Sequence, residues 1–205
     1  MSDLQVKGAG FAQKIFDDIR EMSRDVLGVT RQGYSVKETE VHNYLRTIGE
    51  SLNLEIVTDR AGNLWMTLPG EDRSLPAFVS GSHADSVPQG GNYDGLAGVV
   101  AALTVAWYMR ETNYMPKRDY TVLVMRCEES SFFGKAYVGS LGMFGQLTEK
   151  DINFCCLVKI NMNLQSLANI YCISGNSVSR RKLRLKEKLG IDKDESLSKF
   201  LSRFA

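Results

Sequence analysis

Five side chains in this sequence have the types and spacing to hold divalent cations. His83 stands two residues before Asp85, Asp94 follows nine residues later, and Glu128 and Glu129 sit side by side directly after a β-like run. Imidazole and carboxylate together are the ligands of hard or borderline ions such as zinc, manganese or cobalt. A His-x-Asp, a lone Asp and a Glu-Glu pair make a set sufficient for two such ions. Adjacent glutamates leaving a strand point in different directions. One of them can therefore bind metal while its neighbour acts as a base. The plainer readings are a solvated charge pair for Glu128 and Glu129, and a helix N-cap for Asp94. What argues for a site is that two separate strands would deliver imidazole and carboxylates to one edge.

The elements that must position these groups follow from periodicity. Phe11, Ile15, Ile19 and Met22 recur at helical spacing, which predicts an amphipathic helix over 9–27. Ser35-Val36-Lys37-Glu38 has the form of a capping box, with the glutamate reaching back to the cap. The helix behind it carries Val41, Tyr44, Leu45, Ile48 and Leu52, and places His42 off that stripe on a solvated face. Residues 54–58 and 64–68 read as a hairpin around Asp59-Arg60-Ala61-Gly62-Asn63. A buried strand is predicted to end at Gly81, with His83 just past its carboxyl end, the edge where ligands bind in open α/β sheets. Pro88 to Tyr93 is a glycine-containing loop, and 95–109 an apolar helix. Residues 120–125 form the clearest strand, after which come Glu128 and Glu129. Ser130 to Gly134 reads as a turn. Beyond Thr148 the apolar residues of 153–173 lack a clean period. Ser179 to Leu189 is basic and helical with Gly190 as its stop, and 196–204 is one last short helix.

Composition bounds the function. With 205 residues, 43% hydrophobic, 24% charged and a formal net charge of +1, the chain is an ordinary globular sequence able to bury a core. Near-neutral charge gives no case for a nucleic-acid or membrane-surface partner. No window reaches the roughly 18 apolar residues of a membrane span, and residues 1–10 show no secretory signal. Cys127, Cys155, Cys156 and Cys172 have no C-x-x-C spacing, so free thiols in a cytoplasmic setting are expected.

Gly81-Ser82-His83-Ala84-Asp85-Ser86-Val87-Pro88, Gly90-Gly91-Asn92-Tyr93-Asp94-Gly95, Glu128-Glu129-Ser130-Ser131-Phe132-Phe133-Gly134 and Gly139-Ser140-Leu141 resemble the M20 metallopeptidase superfamily. Within it they are most similar to the amidase/hydantoinase/carbamoylase branch, as are Gly28-Val29-Thr30-Arg31 and Ala61-Gly62-Asn63-Leu64. The resemblance implies an α/β fold, a zinc-exopeptidase-like mixed sheet flanked by helices. It also implies two divalent ions, zinc or alternatively manganese or cobalt. His83 would bind one, Asp94 would bridge both and Glu129 would bind the other. Asp85 would hold the His83 tautomer, and Glu128 would be the general base that takes a proton from water and returns it to the leaving nitrogen. The implied substrates are small N-carbamoyl-amino-acid-like molecules with non-peptide C–N bonds, and full-length relatives would be homodimers.

The sequence also departs from that pattern. The family completes its site with two later histidines, and no histidine follows His83 here. Room for the family's lid and dimerisation domain is lacking. Residues 1–150 are therefore expected to be the N-terminal part of a metallo-amidohydrolase catalytic domain, and 151–205 an atypical tail. The alternatives are an inactive fragment or a metal-binding or interaction module.

Overall fold

The computed structural model describes residues 2–133, 136–147, 163–171, 174–192 and 194–201. Helix α1 (Asp3–Ser23) begins earlier than the expected 9–27, because Ser2 and Gln5 form a capping box that the periodicity did not reveal. It also stops earlier. Arg24 turns extended and pairs with Val29 across a tight reversal. Ile15 and Ile19 are its buried face.

Helix α2 (Val36–Ser51) starts at Ser35, whose Oγ accepts the Glu38 N–H. Only half of the expected capping box forms, because the Glu38 carboxylate turns into the protein. The buried stripe is Glu38, Val41, His42, Leu45 and Gly49. His42 is thus 7% exposed rather than on a solvated face.

Strands β1 (Glu55–Thr58) and β2 (Leu64–Leu68) form the expected hairpin. Its turn is held by Asp59 Oδ1, which accepts the N–H groups of Ala61 and Asn63. Strand β3 (Phe78–His83) runs parallel to β4 (Tyr120–Met125), and β4 is antiparallel to β2. The sheet is mixed, in the order β1-β2-β4-β3. β3 extends two residues beyond the expected end at Gly81, so His83 is its last residue. Helix α3 (Leu96–Glu111) links β3 to β4 and buries Leu96, Val99, Val100, Ala102, Leu103 and Ala106. These meet Leu64, Met66, Leu68, Tyr120, Val122 and Val124, alternate residues of one sheet face. The buried residues of α1 and α2 complete this core.

Past β4 the chain forms α4 (Ser130–Phe133), where a turn was expected, and α5 (Val138–Met143). Helices α6 (Leu164–Tyr171), α7 (Gly175–Leu189) and α8 (Leu197–Leu201) follow. Gly190 ends α7 at φ 66°, as the sequence predicts. A second apolar cluster joins Cys127, Val138 and Leu147 to Leu167, Val178, Leu185 and Phe200. Cys155, Cys156 and Cys172 lie outside the described residues.

The β3–β4 pairing has no room for a side chain at Gly81, where a Cβ would fall 1.8 Å from the Leu123 carbonyl oxygen. Gly81→Ala is therefore expected to reduce the unfolding free energy by about 3 kcal/mol, the upper range for overpacking. Urea denaturation measures this, and an unchanged midpoint would show the register to be wrong.

Candidate metal centre

Parallel pairing ends β3 and β4 side by side, with His83 opposite Met125. His83 thus projects from one strand end while the next residues of the other chain segment lead to Glu128 and Glu129. One ligand atom each from His83, Asp94 and Glu129 lies within 4.8 Å of the others. The His83 ring is buried, its Nε2 4.0 Å from Asp94 Oδ1 and 3.6 Å from Glu128 Oε2. Nδ1 faces the other way, 3.2 Å from Asp85 Oδ1 and 3.1 Å from the Asp85 carbonyl. All five residues expected from the sequence are brought to one place.

Asp94 arrives by a close approach of backbone to ring. Gly95 at φ 64° is the N-cap of α3, and a Cβ there would lie 2.4 Å from the His83 imidazole. Only glycine combines that φ with that contact. No side-chain hydrogen bond caps this helix, so the carboxylate of Asp94 is not used as a cap and is 68% exposed.

The glutamate pair is held by an unusual series of bonds. Four consecutive backbone N–H groups after β4 are accepted by buried or half-buried side chains. Arg126 N–H donates to Asn63 Oδ1, Cys127 N–H to Glu38 Oε1, Glu128 N–H to Asp85 Oδ1 and Glu129 N–H to Asp85 Oδ2, each at 3.0 Å. Cys127 adopts φ 50°, a left-handed conformation disfavoured in non-glycine residues. These acceptors hold it there. Glu38, fully buried, also accepts from Tyr34 N–H at 2.6 Å and from Arg126 Nε at 2.8 Å. By sequence Glu38 is a capping-box residue and Asn63 a turn residue. The lone signal for more was that Ala61-Gly62-Asn63-Leu64 belongs to the resemblance.

The electrostatics favour a cation. Burial opposes a charge on His83, but the Asp85 hydrogen bond, the Asp85 charge and the charges of Glu128 and Glu129 outweigh it, and its pKa is raised. Glu129 is also raised, by burial and by Asp94, Glu128 and Asp85, with His83 pulling the other way. Crowded carboxylates of this kind are relieved by a bound cation. The His83–Asp94 separation of 4.0 Å lies within twice a zinc–ligand bond of about 2.1 Å. Those two donors therefore fit a single ion, with Glu129 beside them. Deeper in the protein, burial pushes Glu38 up to about 7 against the pull of Arg126. Burial and Arg126 push His42 down to about 3, and its Nε2 has no hydrogen-bond partner among the described residues.

Peptidase family M28 matches residues 63–169, more than half of the chain. A ureidoglycolate hydrolase of Oryza sativa subsp. japonica is 34% identical over 134 residues, 65% of this chain and 28% of that protein. An N-carbamoyl-L-amino-acid amidohydrolase of Paenarthrobacter aurescens is 32% identical over 145 residues, 69% of this chain and 35% of that protein. A hydantoinase/carbamoylase family amidase from Burkholderia ambifaria shares the fold, with a TM-score of 0.66 and 24% identity over 70% of this chain and 36% of that one. The chain spans 28% to 35% of the length of the two curated relatives. The expected hydantoinase/carbamoylase likeness is thus met. No helix among the described residues is long and apolar enough to cross a membrane.

Two stability measurements check this polar region. Glu38→Ala leaves the Arg126 charge and two backbone amides without their acceptor, and is expected to destabilise by about 3–5 kcal/mol. A loss below 1 kcal/mol, on the order of a surface pair, would show that the buried pair does not form. His42 has a folded pKa below its unfolded value, so the unfolded chain binds the proton more readily. Stability from this residue is complete above pH 6.5 and falls as pH drops toward 3. Relative to His42→Gln, the wild type should lose about 1.4 kcal/mol per pH unit below 6.5. Parallel pH profiles for the two proteins would place His42 in solvent.

Proposed function

The chain belongs to peptidase family M28, and we propose that it forms the metal-binding and base-bearing part of an amidohydrolase of the hydantoinase/carbamoylase type. Its substrates are small N-carbamoyl-amino-acid-like molecules, cleaved at a non-peptide C–N bond. The observation that carries this reading is the convergence of His83, Asp94 and Glu129 within 4.8 Å at two parallel strand ends. The N-carbamoyl-L-amino-acid amidohydrolase among its relatives supplies the substrate class.

Each side chain then has a role. His83, through Nε2, and Glu129 would each hold a divalent ion, and Asp94 would serve both. Asp85 accepts from Nδ1 and so keeps Nε2 unprotonated for ligation. Glu128, with Oε2 3.6 Å from His83 Nε2, is the general base, moving a proton from water to the leaving nitrogen. A divalent ion bound there lowers the pKa of water and polarises the scissile carbonyl. Zinc suits the imidazole–carboxylate set best, and manganese and cobalt are accepted by the same donors. The buried free thiol of Cys127 fits a cytoplasmic protein, and homodimers are the assembly expected of full-length relatives.

A metal-binding module without turnover is the second reading. Three donors from the described residues favour it, since they would hold one ion and leave a second short of protein ligands. Asp94→Ala is expected to abolish divalent-ion binding in calorimetry, whereas Glu128→Gln retains it. Equal loss in both variants would refute the division into ligand and base. Purified chain with zinc, manganese or cobalt and N-carbamoyl-L-amino acids should show no turnover at an enzymatic rate. Hydrolysis that disappears with a chelator and in Glu128→Gln would instead make this chain a complete catalyst.

A further inference from the structure

Arg31 is wholly buried and is the largest fully buried side chain among the described residues. Its guanidinium reaches two separate parts of the centre. Nε donates to the carbonyl of Ala84, the residue between His83 and Asp85, at 2.7 Å. Nη1 donates at 3.1 Å to Asn92 Oδ1, two residues before Asp94, and at 3.2 Å to Ser23 Oγ on α1. The Arg31 backbone adds a reciprocal pair with Ser86, its N–H donating to Ser86 Oγ and its carbonyl accepting the Ser86 N–H, both at 2.9 Å. Asn92 is in turn tied to α1, where its Nδ2 donates to the Phe16 carbonyl at 3.0 Å. Nη2 has no hydrogen-bond partner among the described residues, and both Asp85 and Asp94 favour the charged guanidinium.

We propose that Arg31 is a positioning residue that sets the separation of His83 and Asp94, and through it the affinity of the centre for divalent cations. The inference rests on the metal-binding reading above. His83 ends a strand and is placed by the β3–β4 ladder. Asp94 ends a loop and is exposed, so its position depends on what restrains residues 88–94. Bonds from Val29 to Gly90 and from Gln89 to Thr30 anchor the start of this loop, and Arg31 restrains its end by joining it to the strand end through one rigid planar group. A buried charge is tolerated here because its donors are used on two carbonyl-type acceptors and a hydroxyl, with two carboxylates nearby. Burial brings its pKa down only to about 10, so it stays charged at neutral pH. A lysine keeps the charge but presents a single point in place of a fork, and cannot hold Ala84 and Asn92 at once.

The test uses Co(II) as the probe. Arg31→Lys and Asn92→Ala are compared with wild type and with Leu45→Ala, a core variant that loses stability away from the centre. Supporting groups behind metal ligands change affinity by about 10–100-fold. Co(II) affinity is therefore expected to fall about 10-fold or more in Arg31→Lys and in Asn92→Ala, with an altered visible absorption band. Leu45→Ala should bind as wild type does. In the metal-free protein, hydrogen exchange at the Gly90 and Ala97 amides, which donate to the Val29 and Tyr93 carbonyls at the two ends of this loop, should quicken in the first two variants and not in the third. If Arg31→Lys does not fold, Asn92→Ala alone carries the comparison. Unchanged affinity and band shape in the folded variants overturn the inference while leaving the metal centre standing. A wild-type chain that takes up no Co(II) overturns the metal centre itself, and this inference with it.

Discussion

The Asp85 carboxylate is the joint on which the centre depends. It is completely buried, and both of its oxygens are in use. Oδ1 takes the Glu128 N–H and faces His83 Nδ1, and Oδ2 takes the Glu129 N–H. A buried carboxylate without partners is several kcal/mol unfavourable, and these bonds offset that cost. Satisfied in this way, it ties the end of β3 to the segment leaving β4. Neither His83 nor the glutamates can shift without exposing an unpaired group.

Behind that joint lies a second polar layer. Glu38, Arg126, Asn63 and Tyr34 bind one another and the backbone around Cys127. Tyr34 also lies under the Arg126 guanidinium, 5.2 Å from ring to charge, and donates its hydroxyl to the Ala61 carbonyl. Burial pushes the Tyr34 phenol above its ordinary range and keeps it neutral. This layer interrupts the apolar packing where the sheet ends. Helix α2, the segment leading into it, a hairpin turn and a strand exit each contribute one member, so these elements are fixed relative to one another by direction-dependent bonds. Apolar contact alone would let them slide.

Cys127 stands between the two apolar clusters. Its side chain belongs to the second cluster, while its N–H is bound by Glu38 from the first region. Gly33 approaches it so closely that a Cβ there would lie 2.6 Å from the sulfur. Burial and the nearby acids raise the thiol pKa beyond its ordinary range, so it is a packing group and not a nucleophile. The helices beyond Leu147 therefore rest on the back of the same strand exit that presents Glu128 and Glu129 on its front.

Much of this was legible in the sequence. The hairpin, the apolar α3, the β4 run and the five residues of the centre depend on local spacing, and local spacing is what a sequence displays. His83, Asp85, Asp94, Glu128 and Glu129 stand out because their types and spacing suit a divalent cation. Three features were not legible. Glu38 looked like a cap, but its partners Arg126 and Cys127 are 88 and 89 residues away. His42 lies off the apolar stripe of α2, and only the folded chain shows that the helix face carrying Glu38, one turn earlier, is buried as well. Arg31 is marked in the sequence only by the resemblance of Gly28-Val29-Thr30-Arg31, and its partners Ala84 and Asn92 are 53 and 61 residues away. Residue type and periodicity decide which groups could act and which elements carry them. Which buried polar groups hold those elements in place depends on long-range hydrogen bonds, and only the folded chain brings their two ends together.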